Sequence, residues 1–216
     1  MSRRQHLPTL EDPVRLTLAL CHEVANFLAA ARLSAHLIGR ETDPSRIRAD
    51  AEDIDTVTRQ AGAIVAHLRP LLTDAPASRL YVDPREILAA VERAVTQPAP
   101  RGPVLDLRSQ GDLPDLRVDA DALHHLIVTL VFGAWEASPP GGRVRLAAEV
   151  DEGELVFAVT DTGRPYDAET PDARVGPRGR CLVLDVAATL VGRWGGGVYV
   201  ETGEAGTRVE LRLPVA

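Results

Sequence analysis

The stretch His22-Glu23-Val24-Ala25-Asn26-Phe27-Leu28 lies inside a run whose apolar residues recur at helical spacing. Leu16, Leu20 and Phe27 mark one apolar face of that run, and Val14, Leu18, Ala25 and Leu28 mark a second. His22 and Asn26 stand one helical turn apart, so both side chains share a face and can address one reacting group. Imidazole titrates near neutrality, and an exposed one is a good phosphoryl acceptor and leaving group.

On either side of this stretch the pattern extends to a helix over residues 14–39, with Asp12-Pro13 as its cap and first turn. Gly39-Arg40 closes that helix, and Thr42-Asp43-Pro44-Ser45 reads as a turn and a new cap. Ile47, Ile54, Val57, Ile64 and Leu68 then carry a second helix over residues 45–72. Two long helices joined by a short loop make an antiparallel hairpin. A lone hairpin cannot bury two apolar faces, so a dimeric four-helix bundle is expected. The domain plan is a tail over residues 1–12, the hairpin over 13–74 and a second domain over 75–216, with Thr73-Asp74-Ala75-Pro76-Ala77-Ser78 as the linker.

Beyond the linker the pattern is mixed. Helices are expected over residues 84–95, 120–137 and 180–192, and strands over 104–108, 144–150, 154–160, 197–201 and 208–213. Asp151-Glu152-Gly153 and Gly203-Glu204-Ala205-Gly206 supply turns between strands. The fold class is therefore α+β, with helices on one face of a mixed sheet.

The 216 residues carry a formal charge of -7, which argues against nucleic acid as the main partner. Cys21 and Cys181 form no metal-ligand spacing, and two thiols suit a reducing compartment. His36, His67, His124 and His125 have no partners at metal spacing, and the adjacent pair is expected to point apart on its helix. No signal peptide and no uncharged run long enough to span a membrane is present, so a cytoplasmic protein is expected.

In this order the motifs resemble the catalytic core of two-component sensor histidine kinases. His22-Glu23-Val24-Ala25-Asn26-Phe27-Leu28 is similar to the family's phosphoacceptor box, His-Glu-(Ile/Leu)-Arg-Asn-Pro-Leu, with Phe27 in place of the proline. Val82-Asp83-Pro84-Arg85-Glu86-Ile87-Leu88 looks like the start of the family's ATP-binding domain. Residues 126–142, ending Ala134-Trp135-Glu136-Ala137-Ser138-Pro139-Pro140-Gly141-Gly142, fit the frame of the N-box helix and its exit. Asp161-Thr162-Gly163 opens the G1 box, and Trp194-Gly195-Gly196 with Gly206-Thr207 fits the terminal hairpin. The resemblance implies a dimerising phosphoacceptor hairpin followed by a GHKL, or Bergerat-like, α/β sandwich.

The departures bear on activity. The N-box asparagine that would hold magnesium falls on Gly133, and the one four residues earlier falls on Thr129. Glycine offers no oxygen to a hard cation. The second glycine of the G1 pattern is Pro165, and the glycine-rich G2 run becomes Gly179-Arg180-Cys181-Leu182-Val183, where Cβ atoms obstruct close approach of the backbone to phosphates. Asp161, Gly163 and Gly179 remain as a vestigial ATP site, in which the family's Asp161 equivalent bonds the adenine amino group. Each lost hydrogen bond to a charged group costs about 1.5–3 kcal/mol, so productive Mg-ATP binding is expected to be lost.

A histidine without an ATP site can still exchange phosphoryl groups with an aspartate. The resemblance is then to ChpT-type histidine phosphotransferases, in which a degenerate ATPase-like domain helps dock the partner. His22 would be the nucleophile, Glu23 would orient its ring or draw its proton, and Asn26 would position a reacting group, including water for regulator dephosphorylation. The implied partners are a response-regulator receiver domain, which supplies Mg²⁺, an upstream hybrid histidine kinase, and a second copy of the chain. The rivals are a sensor-less ATP-dependent histidine kinase and a non-catalytic pseudokinase scaffold.

Overall fold

The computed structural model describes residues 3–9, 13–72, 80–95, 104–163 and 180–215. It divides into two compact units, Asp12–Thr73 and Met1–Glu11 with Asp74–Ala216.

The first unit is a helical hairpin. Helix α1 spans Pro13–Ile38 and α2 spans Pro44–Leu72, and they pack along their lengths. The turn between them forms as the residues dictate. Asp43 Oδ1 accepts from the Ser45 N–H at 2.9 Å and from its hydroxyl at 2.7 Å, which caps α2 at its start. Asp12, expected to cap α1, lies outside the described residues. Leu20 and Phe27 of α1 and Ala61 of α2 are buried, whereas Leu18, Leu28 and Leu33 are 65%, 57% and 61% exposed. One of the two expected apolar faces is thus inside and the other is open.

The second unit is built on a six-stranded mixed sheet of order β1-β7-β8-β6-β5-β3. Its strands are β1 (Arg3–Leu7), β3 (Val104–Ser109), β5 (Arg143–Asp151), β6 (Glu154–Asp161), β7 (Gly197–Gly203) and β8 (Gly206–Pro214). Among the described residues only β3 and β5 pair in parallel. A short two-stranded ribbon pairs β2 (Leu80–Val82) with β4 (Leu116–Val118). Helices α3 (Pro84–Val95), α4 (Ala120–Ala137) and α5 (Arg180–Arg193) cover one face. Leu155, Phe157 and Val159 of β6 point to that side, and in register with them stand Leu213, Leu211 and Val209 of β8. Together with Leu126, Ile127, Leu184 and Val191 they form one core.

The opposite face is closed by charge instead of by a layer. Val156 and Ala158 are 1% exposed although their β8 neighbours are Arg212 and Glu210. Long charged side chains lie across them, stems over apolar surface and heads paired. Glu210 receives Arg4 at 2.8 Å, Arg208 at 2.8 Å and Arg212 at 3.2 Å, and Arg212 reaches Asp151 at 2.7 Å. Burial alone would raise the Glu210 pKa, but Arg208, Arg212 and Arg4 outweigh it and hold the carboxyl below the usual carboxylate range.

Two expectations need correction. The first twelve residues were expected as a tail, yet Arg3–Leu7 is an edge strand whose Leu7 enters the core of the second unit. The β2–β4 ribbon was not expected either. A three-residue strand shows no usable alternation, and pairing with a distant segment leaves no local mark.

Candidate functional site

His22 is exposed on α1, nine residues from its first residue, and Asn26 is exposed one turn on. Around them the same face presents Leu18 at i−4, Ala25 at i+3, Ala29 at i+7 and Leu33 at i+11, all exposed. The imidazole therefore stands in an apolar, solvent-facing stripe on a long helix, open to an approaching macromolecule. Glu23 follows His22 on α1, and its side chain lies outside the described residues.

Of the residues expected as a vestigial nucleotide site, Asp161 and Gly163 belong to the other unit, at the end of β6. Asp161 is 2% exposed, and its Oδ1 accepts the Gly163 N–H at 2.9 Å. Gly163 has a packing reason of its own, because a Cβ there would collide with the carbonyl of Ala137 at the end of α4. Gly206, at φ 122°, is held in the same way against the Asp161 carbonyl. These glycines let the β6 end nest between α4 and the β7–β8 turn, so their presence alone is no measure of phosphate binding. Gly179 and Pro165 lie outside the described residues, as does the side chain of Cys181.

Helix α4 carries Thr129 and Gly133, the two positions expected to fall where cation-holding asparagines would stand. Asp119 caps it, accepting the Ala122 N–H at 2.9 Å. Thr129 Oγ1 donates to the His125 carbonyl of its own helix at 2.7 Å. Gly133 is different: a Cβ added there would meet nothing within 4 Å among the described residues, so packing among those residues does not impose the glycine. One threonine hydroxyl and one glycine are a poor donor set for magnesium, which demands several oxygens near octahedral geometry. Among the described residues no cluster of three or more His, Cys, Asp or Glu could hold a metal ion.

His124 and His125, expected to point apart, lie with ring centroids 5.3 Å from each other. Burial, and then the neighbouring His125, lower the pKa of His124, whose Nε2 is buried without a hydrogen-bond partner among the described residues. The two rings can converge because side chains one position apart still meet when both bend toward one flank of the helix.

Residues 118–216 match the family model of histidine kinase-, DNA gyrase B- and HSP90-like ATPases. The histidine protein kinase DivJ of Caulobacter vibrioides is 35% identical over 123 residues, which are 49% of this chain and 20% of DivJ. The chain thus spans a small part of that relative's length. Among solved structures, the histidine kinase AdeS of Acinetobacter baumannii superposes with a TM-score of 0.63 at 13% identity, over 90% of this chain and 98% of that one. Histidine kinase ThkA, solved in complex with the response regulator protein TrrA, gives 0.60 at 15% identity, over 94% of this chain and 62% of that one. At such identities the structures speak for the fold, and over residues 118–216 the chain is similar to the histidine kinase-, DNA gyrase B- and HSP90-like ATPases.

Proposed function

We propose that the chain is a histidine phosphotransferase of a two-component phosphorelay, working without productive use of ATP. The observation that carries the reading is an exposed His22, with Asn26 one turn away on an open apolar face, in a chain whose cation-binding position is Gly133. In the reaction the neutral imidazole attacks the phosphorus of an aspartyl phosphate on a receiver domain. The P–N bond forms in line as the P–O bond to the aspartate breaks, and the reverse step returns the group. Glu23 orients the ring or draws its proton, and Asn26 positions the phosphoryl group or a water. The receiver brings the Mg²⁺ and the acidic pocket, so rigid presentation is what this chain must supply. The ThkA–TrrA complex supports a response regulator as partner, and a hybrid histidine kinase would feed the relay from upstream. Leu28 and Val65, both exposed, support a second hairpin completing a four-helix bundle. Among the described residues no helix is long and apolar enough to cross a membrane. The proposed compartment of the relay, the cytoplasm, is supported by the two cysteines of the chain, which suit a reducing environment.

A second reading, an ATP-dependent histidine kinase, is favoured by Asp161, which stands buried at the end of β6 where the family bonds adenine. One experiment separates the readings. Wild type and His22→Ala are incubated with radiolabelled Mg-ATP and, in parallel, with a labelled phosphoreceiver. The relay expects no label from ATP, and label from the receiver on the wild type alone. Label from ATP on the wild type alone would make the chain a kinase. A receiver that binds both forms and labels neither would leave a scaffold.

A further inference from the structure

β3 is the last strand of the six-stranded sheet on its side, and among the described residues no strand pairs with its outer edge. Its parallel ladder with β5 fixes where the backbone groups point. The Val104 N–H donates to the Gly142 carbonyl at 2.9 Å, and the Gln110 N–H donates to the Ala148 carbonyl at 3.0 Å. In a parallel pair the N–H and C=O of one residue face the same neighbour, so residues 104, 106, 108 and 110 address β5. The N–H and C=O groups of Leu105, Leu107 and Ser109 therefore face outward, a row of donors and acceptors suited to another strand.

The side chains beside this edge carry two chemistries. On the helix side Leu105 and Leu107 pack against the core yet stay half-buried. On the opposite side Asp106 holds two guanidiniums at once. Arg108 Nε donates to its Oδ1 at 2.8 Å, and Arg145 Nε, from β5, donates to its Oδ2 at 3.1 Å. These bonds use Nε, which leaves the Nη donors of both arginines to other acceptors. The Arg108 side chain is 69% exposed and that of Arg145 is 48% exposed. Two guanidiniums against one carboxylate make the strip positive, in a chain whose formal charge is -7.

We propose that the β3 edge takes up an extended segment of a partner protein in which apolar residues alternate with carboxylates. The apolar residues complete the cover over Leu105 and Leu107, and the carboxylates meet the Nη donors of Arg108 and Arg145. Main-chain bonds to Leu105, Leu107 and Ser109 supply the rest, as in other strand additions. A second copy of β3 would instead bring two positive strips together, which the charge disfavours. The proposal does not depend on the role of His22.

The test titrates the full chain into two fluorescein-labelled, end-capped peptides of about eight residues, one alternating Val with Glu and one alternating Val with Lys. Fluorescence anisotropy should show the Val/Glu peptide binding at least about tenfold tighter, with the preference shrinking as salt rises. Equal affinities, or no binding of either peptide, overturn the proposal. Arg108→Glu, exposed and outside the core, should weaken the Val/Glu peptide by roughly tenfold. Ser109→Pro removes one outward N–H without touching a bond to β5 and should cost roughly fivefold, whereas Ser109→Ala should cost nothing. A Val/Glu peptide N-methylated at alternate residues loses its own backbone donors, and it should not bind whatever the fold of the variants. Binding that survives both Ser109→Pro and N-methylation overturns the added strand. A free chain whose sedimentation coefficient falls on Ser109→Pro carries a second copy on this edge, which overturns the assignment of the occupant.

Discussion

The hairpin and the sheet unit solve burial in opposite ways. In the sheet unit a central strand, β6, is covered on both sides, by helices over Phe157 and by paired arginines and glutamates over Val156 and Ala158. In the hairpin Leu20, Phe27 and Ala61 are inside, while Leu18, Leu28 and Leu33 face solvent. One unit is finished within the chain and the other is left open. The candidate nucleophile His22 sits on the open one. A face meant for a partner cannot also be consumed by its own core, so the open face of the hairpin is where the proposed function puts recognition.

Substitutions can break or sharpen this contrast. The largest effect is expected for Leu211→Ala in the sheet core, about 3–4 kcal/mol in urea unfolding of the second unit, from lost transfer energy plus a cavity. Leu28→Ala should leave that transition unmoved and instead weaken self-association by about 1–2 kcal/mol in sedimentation equilibrium. A large loss of folding stability at Leu28 would mean that the open face is covered within one chain.

Next comes the charged face. Glu210→Gln should cost about 1–2 kcal/mol, because Arg212, 9% exposed at its side chain, keeps its charge with one partner fewer. A loss below a few tenths in the same unfolding assay would show that water, not the carboxylate, satisfies this face.

The smallest effect is the pH response of the α3–α4 packing. The groups facing His124 are His125 and Asp121 on α4, and Arg93 with the Ala90 carbonyl on α3. Its folded pKa lies below the ordinary value of 6.5, so the unfolded chain takes up the proton first as pH falls. The contribution of His124 is therefore whole above that ordinary value and is lost as pH drops through the lower folded one. The urea midpoint of the second unit should be lower at pH 5.5 than at pH 7.5, and His124→Gln should flatten the difference.

Much of the fold was legible in the residues. Pro84 and Val95 bound α3 where the pattern put them, and Ala120–Ala137 is the helix its apolar positions describe. Asp43 caps α2 because its short carboxylate accepts the nearby Ser45 N–H. Of the candidate site, the shared face of His22 and Asn26 follows from helical geometry alone. The meaning of the glycines was not legible. Gly163 and Gly206 stand where other backbone passes too close for a Cβ, while Gly133 has no such neighbour among the described residues, and no spacing distinguishes the two cases.

Periodicity, capping and turn chemistry act between near neighbours, and so the sequence determined the helices, most of the strands and which histidine lies on a long amphipathic helix. Contacts between distant segments belong to the folded chain. Folding placed Arg3–Leu7 at the sheet edge, closed the charged face around Glu210 and brought the His124 and His125 rings together. In each of these the partners are chosen by packing across the fold, a choice that one-dimensional spacing does not encode.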